Sequence, residues 1–566
     1  MAVEARSSSP ELSEKIGTSA ASSNILSGGE TKSEKCNGVE NPEQPEVAKK
    51  EYPTGAKFWL IIMSLLCVSI LGGLDFSIIG VAVPAMTQEY NTMSDVAWYN
   101  VSYRLTACAT QFAWGQLFTL FPLRPTFLST IVIFLVGSAI SASAPLSAVF
   151  ILGRTITGVG SAGILTGLFA TLAEVTPLHV RPIYTGVISG FEAIALIAAP
   201  ILGGVLTQDV TWRWCFYINL PIGSAVIVAL AFNLPNTKPE CSNNLTWKEL
   251  LYKLDIFGTL ALIASIACLF MALSWAGTRF MWSQWQIIIL LVFFVLCLAI
   301  FCYDQFKKGD SAALPPRLLK QRSVISATLF TFCLNGALGV LQYYLPIYFQ
   351  IVRDYSPASS GYMLLPILVG FNIFLLAQGF LTTWLGYYVP HMILSSILTS
   401  IGAGLITTWT ANTSLARVIV YQGIFGCGSG LAFEVPQIAA QAVLPEADAT
   451  LGISITLFAQ NFGGALFISV AQQVFSNRIL AGLQGKVPGL SAETIQNLGL
   501  VDLGQSSFAT GSQDVINSLE DAFIQTWYIA VVLSCLTAVF SLLMEWRSVK
   551  QTSATPPAEV LETIHG

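Results

Sequence analysis

The chain has 566 residues, of which 54% are hydrophobic and only 10% charged, with a net charge of −5. Soluble domains carry about 25% charged residues, so this composition belongs to a polytopic membrane protein. The lack of any long basic or acidic run argues against a nucleic-acid partner. The eleven cysteines are scattered through apolar runs with no CxxC or CxxxC spacing. They read as small buried hydrophobes rather than as a disulfide or metal framework.

Residues 1–56 are rich in Ser, Glu and Lys and nearly free of aromatics, too polar to bury a core. No short apolar stretch with a small-residue cleavage site is present, so this is not a secretory signal, and a disordered cytosolic tail is expected. From Phe58 onward apolar runs of about 20 residues recur, the length that crosses ~30 Å of hydrocarbon. Fourteen spans fall near 58–84, 96–118, 126–144, 149–172, 183–207, 214–234, 256–276, 285–303, 324–349, 361–383, 390–409, 417–440, 450–475 and 525–545. The predicted fold class is therefore an all-α polytopic membrane protein.

An even number of spans puts both termini on one side. The even-numbered loops and the tails hold most of the cations, among them Lys57, Arg124, Arg181, Lys238, Lys307, Lys308, Arg317, Lys320, Arg322, Arg547 and Lys550. The opposite loops hold Arg213, Arg279, Arg353, Arg417, Arg478 and Lys486. The positive-inside rule then predicts cytosolic tails. Asn412-Thr413-Ser414 is a glycosylation sequon on the outer side, in so short a loop that an unmodified asparagine is expected. Asn244-Leu245-Thr246 falls on the cytosolic side.

The chain repeats itself. Gly115, Thr119 and Pro122 near the end of the second span match Gly379, Thr383 and Gly386 at the end of the tenth. Arg154-x3-Gly158-x-Gly160 matches Gln422-x3-Gly426-x-Gly428 in the same order. This predicts two six-helix bundles, over 57–236 and 322–546, with two inserted helices over 254–305. An external loop is expected at 476–524 and a second cytosolic tail at 547–566. Two such halves meeting around a midplane site is a common plan for secondary transporters.

At this point the strings become recognisable. "LDFSIIGVAVP" (74–84), "GRTITGVG" (153–160), "AAPILGG" (198–204), "WRWCFYINLPIG" (212–223), "YYLPIYFQ" (343–350) and "EWRSVK" (545–550) together resemble the major facilitator superfamily. The resemblance is to its fourteen-span drug:proton antiporters, and within them to the fungal toxin- and multidrug-efflux branch. It implies proton-driven export by alternating access, roles in proton coupling for Asp75 and Arg154, and no cofactor beyond the proton gradient. In "AAPILGG", Ala199 replaces the first glycine of the family's Gly-Pro-x-x-Gly-Gly. After the second span, Thr119 stands where the family carries an acid and Pro122 where it carries a glycine, so the usual charge latch lacks its acid.

Ionisable side chains within spans cost at least ~2.5–3.5 kcal/mol each, so each needs a reason. Asp75, Arg104 and Arg154 fall at roughly the same depth below the outer boundary when counted at about 1.5 Å per residue, and are expected to share one polar layer. The alternative role for them is a purely structural ion pair. Glu192 lies near the midplane with no cation among its sequence neighbours, the setting in which a carboxyl can bind and release a proton; its alternative role is a permanently protonated acid. Glu434 is a fifth candidate nearer the cytosolic side.

The stretch "GFEAIALIAAPILGG" (190–204) gathers several of these features. Gly190, Gly203 and Gly204 allow close helix approach, Pro200 removes a backbone hydrogen bond, and Glu192 supplies the acid. It reads as a hinge-like, proton-sensitive helix. Trp114, Phe191, Phe332, Tyr343, Tyr344 and Phe433 are candidates to line an apolar cavity for a neutral or weakly charged amphipathic substrate. The expected partners are that substrate, protons and lipid, for a monomer in the plasma membrane, with a vacuolar or vesicle membrane as the alternative. Other readings are a fourteen-span carrier for a siderophore or basic amino acid, or a transport-inactive nutrient sensor. An enzyme is disfavoured, because three histidines give no metal spacing and no nucleotide-binding loop is present.

Overall fold

The computed structural model describes residues 53–90, 96–236, 254–276, 280–309, 314–355, 357–483 and 513–548, with residues 312 and 550. The expected tails, most of the 476–524 loop and the Asn244 sequon lie wholly or largely outside the described residues. Among the described residues nearly everything is helix, with only isolated bridges and no longer strand. A bilayer core offers no water to hydrogen-bond a bare backbone, so each span must close its own ladder.

The first five spans are single helices: Ala56–Tyr90, Val96–Leu120, Leu123–Ala142, Ser147–Val175 and Arg181–Asp209. The sixth is split into Trp214–Tyr217 and Asn219–Asn233. The seventh (Ile256–Trp275) and eighth (Trp285–Lys308) form the insertion, followed by the short helix Pro316–Lys320. The ninth to eleventh are Arg322–Ile351, Leu365–Leu385 (after a turn of helix at Pro357–Tyr362) and Val389–Ile406. The twelfth is broken into Leu415–Ala432 and Val435–Val443, and the last two are Glu446–Leu483 and Gln513–Leu542. Thirteen helices among the described residues are long and apolar enough to cross a membrane. The second span is long enough but more polar, because it turns Arg104, Gln111 and Gln116 towards the protein interior rather than lipid. Proline starts and glycine ends set several boundaries: Pro182, Pro366 and Pro390 stand in the first turns of their helices, and Gly386 closes the tenth span at φ +78°.

The duplication seen in the motifs is a duplication of packing. Within the first half the third span packs on the fourth, the first on the fifth, the second on the fourth, and the first and third on the sixth. Adding eight to each number gives the pairs of the second half. The matched glycines occupy matched contacts. A Cβ on Gly158 would lie 2.4 Å from the Tyr103 carbonyl of the second span, and one on Gly426 would lie 2.2 Å from the Ile367 carbonyl of the tenth. Gly160 and Gly428 press likewise on backbone nitrogens of the third and eleventh spans, those of Phe134 and Thr399.

The halves meet through two equivalent seams. In one, the second span lies on the thirteenth, with Gly115 against Ser454 and Phe112 against Phe458, ring centroids 4.6 Å apart. In the other, the fifth lies on the tenth, with Gly379 against the Pro182 carbonyl and Gly190 against Leu376. Two hydrogen bonds join the bundles among the described residues. Arg181 Nη1 donates to Gln441 Oε1 at 3.1 Å, and Ser189 donates to Glu434 at 2.9 Å. Around Glu89, Arg213 and Arg353, no hydrogen bond or ion pair joins the two bundles among the described residues. Thr119, in place of the family's acid, only caps its own helix by bonding to the Gln116 carbonyl, and Arg124 Nε donates to the Leu234 carbonyl at the end of the sixth span.

The string 212–223 has a structural reason. Arg213 makes two 2.9 Å bonds to the Glu89 carboxylate, and Trp212 Nε1 donates to the same group at 2.7 Å. Trp212 and Phe216 pack edge-on against Phe150. This clasp fastens the end of the first span to the start of the sixth.

Two expectations follow from the packing. Gly426→Val should lower the detergent thermal midpoint, since overpacking typically costs ~1–3 kcal/mol, whereas Gly423→Val, with nothing within 4 Å of its Cβ, should not; equal midpoints would show that the tenth and twelfth spans can part freely. The hydrogen bonds from Arg213 hold the Glu89 carboxyl below its usual range. A lowered value adds stability at neutral pH and loses it as pH falls through that value. The stability difference between wild type and Glu89→Gln should therefore shrink as pH is taken below about 4, and in high salt, because the pair is part-exposed; a difference independent of both would assign the effect to packing alone.

Candidate functional site

Between the bundles lies a cavity of about 410 Å³ lined by both halves. The first, second, fourth and fifth spans contribute Ser69, Phe76, Arg104, Ser161, Ser189 and Glu192. The second half contributes Asn335, Gln342, Tyr343, Asn372, Glu434 and Asn461, with leucines and phenylalanines between.

Two acids face this space from opposite bundles. Glu192 accepts a hydrogen bond from Ser69 Oγ at 3.1 Å, tying the fifth span to the first. Those two helices touch so closely that a Cβ on Gly73 would lie 2.5 Å from the Glu192 carbonyl. One turn earlier on the fifth span, Ser189 donates to Glu434 Oε1, while Glu434 Oε2 is buried with no partner. Neither acid forms an ion pair among the described residues. Glu434 sits at the break between the two halves of the twelfth span, and Pro436 stands at the second position of the next helix, where its missing N–H is tolerated. Irregular backbone at membrane depth is allowed where it lines a cavity.

The third acid is built differently. Asp75 and Arg154 are both fully buried and meet at 2.7 Å. Asn219 Nδ2 donates to the other Asp75 oxygen and to Ser138 Oγ, each at 3.2 Å. The Arg154 guanidinium lies 4.5 Å from the Tyr103 ring centroid, and its Nε donates to the Tyr99 carbonyl. Pairing and added hydrogen bonds are what a buried charge requires. The cluster joins the first, fourth and sixth spans and does not line the cavity.

The geometry so far is that of two like bundles around one central cavity. Residues 65–468 match the Major Facilitator Superfamily profile. The chain belongs to the major facilitator superfamily. Curated relatives include an MFS-type efflux pump of Trichophyton rubrum, 43% identical over 89% of this chain and 94% of that protein. They also include the efflux pump aflT of Aspergillus parasiticus, 39% identical over 88% and 97%. Among solved structures, the proton:xylose symporter XylE superposes with a TM-score of 0.54 at 15% identity, covering 88% of this chain and 97% of that one. The human organic anion transporter MFSD10 superposes at 0.53 and 13%, covering 84% and 100%. At these identities the superpositions show the fold alone. This facilitator is a multi-pass transporter and not an enzyme.

Several site residues of the facilitator land where the sequence reading put them, and several do not. Glu192, Glu434, Tyr343 and Phe433 line the cavity. Arg104 does not join Asp75 and Arg154. Successive helical residues are turned about 100° apart, so with Tyr103 facing Arg154, Arg104 is swung into the cavity, 4.1 Å from the Phe76 ring centroid. Trp114, Phe332 and Tyr344 are packing residues outside the cavity lining. Trp114 donates to the Val159 carbonyl at 2.7 Å, Phe332 packs on Phe462 and Phe467, and Tyr344 is fully buried against Phe475. Phe191, beside Glu192, is turned outward and exposed. Gly190 and Gly203 lie against Leu376 and Ile78, and Gly204 is half-buried. Pro200 lies outside the residues whose side chains are described, within a helix that runs from Arg181 to Asp209. Asn412 is exposed in the turn before the twelfth span. Asn219, Ser69 and Ser189 were missed as partners of the acids. Asn219 does stand inside "WRWCFYINLPIG", where an asparagine in an apolar run was the available signal.

Removing one member of a buried pair typically costs ~3–5 kcal/mol. Arg154→Ala should therefore reduce the amount of folded protein in the membrane and its thermal midpoint. The neutral pair Asp75→Asn with Arg154→Gln should retain more stability than Arg154→Ala, and Arg154→Lys should rescue only in part, since lysine lacks the planar fork. An Arg154→Ala protein as stable as wild type would remove the clamp role.

Proposed function

We propose that this facilitator is a proton-coupled exporter of hydrophobic or amphipathic small molecules, fungal secondary metabolites or xenobiotics, of the fourteen-span drug:proton antiporter type. The observation that carries the reading is the placement of Glu192 and Glu434. They are two acids from opposite bundles, Glu434 buried and Glu192 part-buried, facing one cavity and free of ion pairs among the described residues. Asp75, by contrast, has both carboxylate oxygens engaged, one by Arg154 and one by Asn219. Glu192 and Glu434 exchange a proton against hydroxyl partners, and Ser189–Glu434 spans the seam that must open for access to alternate. Asp75 and Arg154, with Asn219, hold the first, fourth and sixth spans as one unit, and Gly190 and Gly203 give the fifth span its close contacts. Arg104 sets the polarity of the N-terminal wall.

The relatives named as efflux pumps support the export direction. The Lys/Arg asymmetry supports cytosolic termini. The protein acts as a monomer in the plasma membrane, needing no cofactor beyond the proton gradient.

The test is transport into inside-out vesicles with an imposed pH gradient. Glu192→Gln and Glu434→Gln keep the hydrogen-bonding shape but hold each site neutral. Each should retain exchange of substrate down its gradient and lose accumulation against it, along with the pH dependence of the rate. Uphill accumulation by the double variant with an unaltered pH profile would make both acids structural and sink the proton-exchange reading.

A further inference from the structure

The polar lining of the central cavity is shared unevenly between the bundles, and the imbalance carries information about the ligand. We infer that the cavity selects apolar molecules that donate hydrogen bonds, scaffolds bearing hydroxyl or amine groups along one edge, and docks that edge on the C-terminal bundle. This rests on the transport reading above and names the chemistry of its substrate.

Asn335, Asn372 and Asn461, from the ninth, tenth and thirteenth spans, all line the cavity. In each, the side-chain nitrogen donates to the backbone carbonyl one turn earlier: Asn335 to Thr331 at 3.0 Å, Asn372 to Leu368 at 3.0 Å, and Asn461 to Leu457 at 3.2 Å. A backbone carbonyl only accepts, so the amide must turn its nitrogen to its own helix and its oxygen away from it. Asn372 Oδ1 is buried with no partner, and so is Glu434 Oε2 on the same side. The C-terminal wall therefore offers acceptors. Donors on this wall are those of Gln342, Tyr343 and Gln460, whose Oε1 accepts from Gln437 at 2.9 Å.

The N-terminal wall is mixed: Glu192 adds an acceptor and serines line it, but it also carries the cavity's one cation among the described lining residues. Arg104 is a donor-only cation stacked on Phe76, suited to a carbonyl or other acceptor at the far side of the ligand. Leu338, Leu368 and Phe371 of the C-terminal bundle, with Val68, Leu165 and Leu196 of the N-terminal one, supply the apolar surface for the scaffold. A ligand without donors leaves the amide oxygens dry, and sites built to hydrogen-bond reject analogues that lack the matching group far more strongly than an apolar pocket rejects an extra methyl.

The measurement is equilibrium binding to the purified full-length protein in lipid nanodiscs without any gradient, read by tryptophan quenching. The probes are a tetrahydroxyflavone, its fully O-methylated counterpart and unsubstituted flavone, which is smaller than either and so controls for bulk. The hydroxylated probe should bind at least about tenfold more tightly than both others, as roughly two net hydrogen bonds would give. Asn372→Leu and Asn461→Leu should each cut that preference several-fold, while Phe191→Leu, on the outer face of the fifth span, should leave it unchanged. Equal affinities, a preference untouched by both asparagine substitutions, or no saturable binding of any probe by protein with a normal thermal midpoint would each overturn the inference. Because binding is read without a proton gradient, loss of proton dependence in the vesicle assay sinks the coupling reading and leaves this preference standing.

Discussion

The constraint on which the rest of this structure depends is the absence of water around the spans. Each backbone group must find its partner inside its own helix, and each polar side chain must find one on a neighbour. The fourteen helical segments and the glycine contacts that let them approach are answers to that constraint. So are the bonds of Asp75 to Arg154 and Asn219, and the back-bonded asparagines of the cavity. Contacts such as Gly426 on the Ile367 carbonyl bring helices together by removing side chains, the usual way to gain packing where no hydrophobic drive separates helix from lipid.

The same constraint divides the acids by role. Asp75 is closed off by the Arg154 guanidinium and the Asn219 amide. Glu192 and Glu434 have serine hydroxyls for partners and open space in front of them, so a change of charge there costs no lost ion pair. The three acids differ in whether their neighbours are fixed charges or adaptable hydroxyls. Of the two, Glu434 is bonded across the seam, through Ser189, and Glu192 within its own bundle, through Ser69.

The duplicated architecture also explains where symmetry is broken. Arg154 has Gln422 as its counterpart, a fully buried amide whose nitrogen and oxygen both lack partners, so the matched position of the C-terminal half carries no buried ion pair among the described residues. The fourth span is continuous while the twelfth breaks at Phe433–Glu434. The N-terminal half holds itself with charge; the C-terminal half offers amides and a broken helix to the cavity.

Much was legible in the sequence, because length, hydropathy and motif spacing are local or periodic properties. The fourteen spans, the duplication with its inserted pair, the Asp75–Arg154 partnership and the acidity of Glu192 in an apolar helix could all be read there. Helix rotation could not. Tyr103 and Arg104 are neighbours in the chain, yet one faces the buried pair and the other the cavity. Phe191 and Glu192 divide in the same way between lipid and cavity. Depth counted along a helix says nothing of its azimuth, which is set by packing against several other helices at once. For that reason only the tertiary structure showed Asn219 beside Asp75, Ser189 across from Glu434, and Trp114 and Tyr344 in packing positions away from the cavity. The orientation of the asparagine oxygens belongs to the same class, since it depends on which atom meets the preceding turn and which meets the open space between bundles.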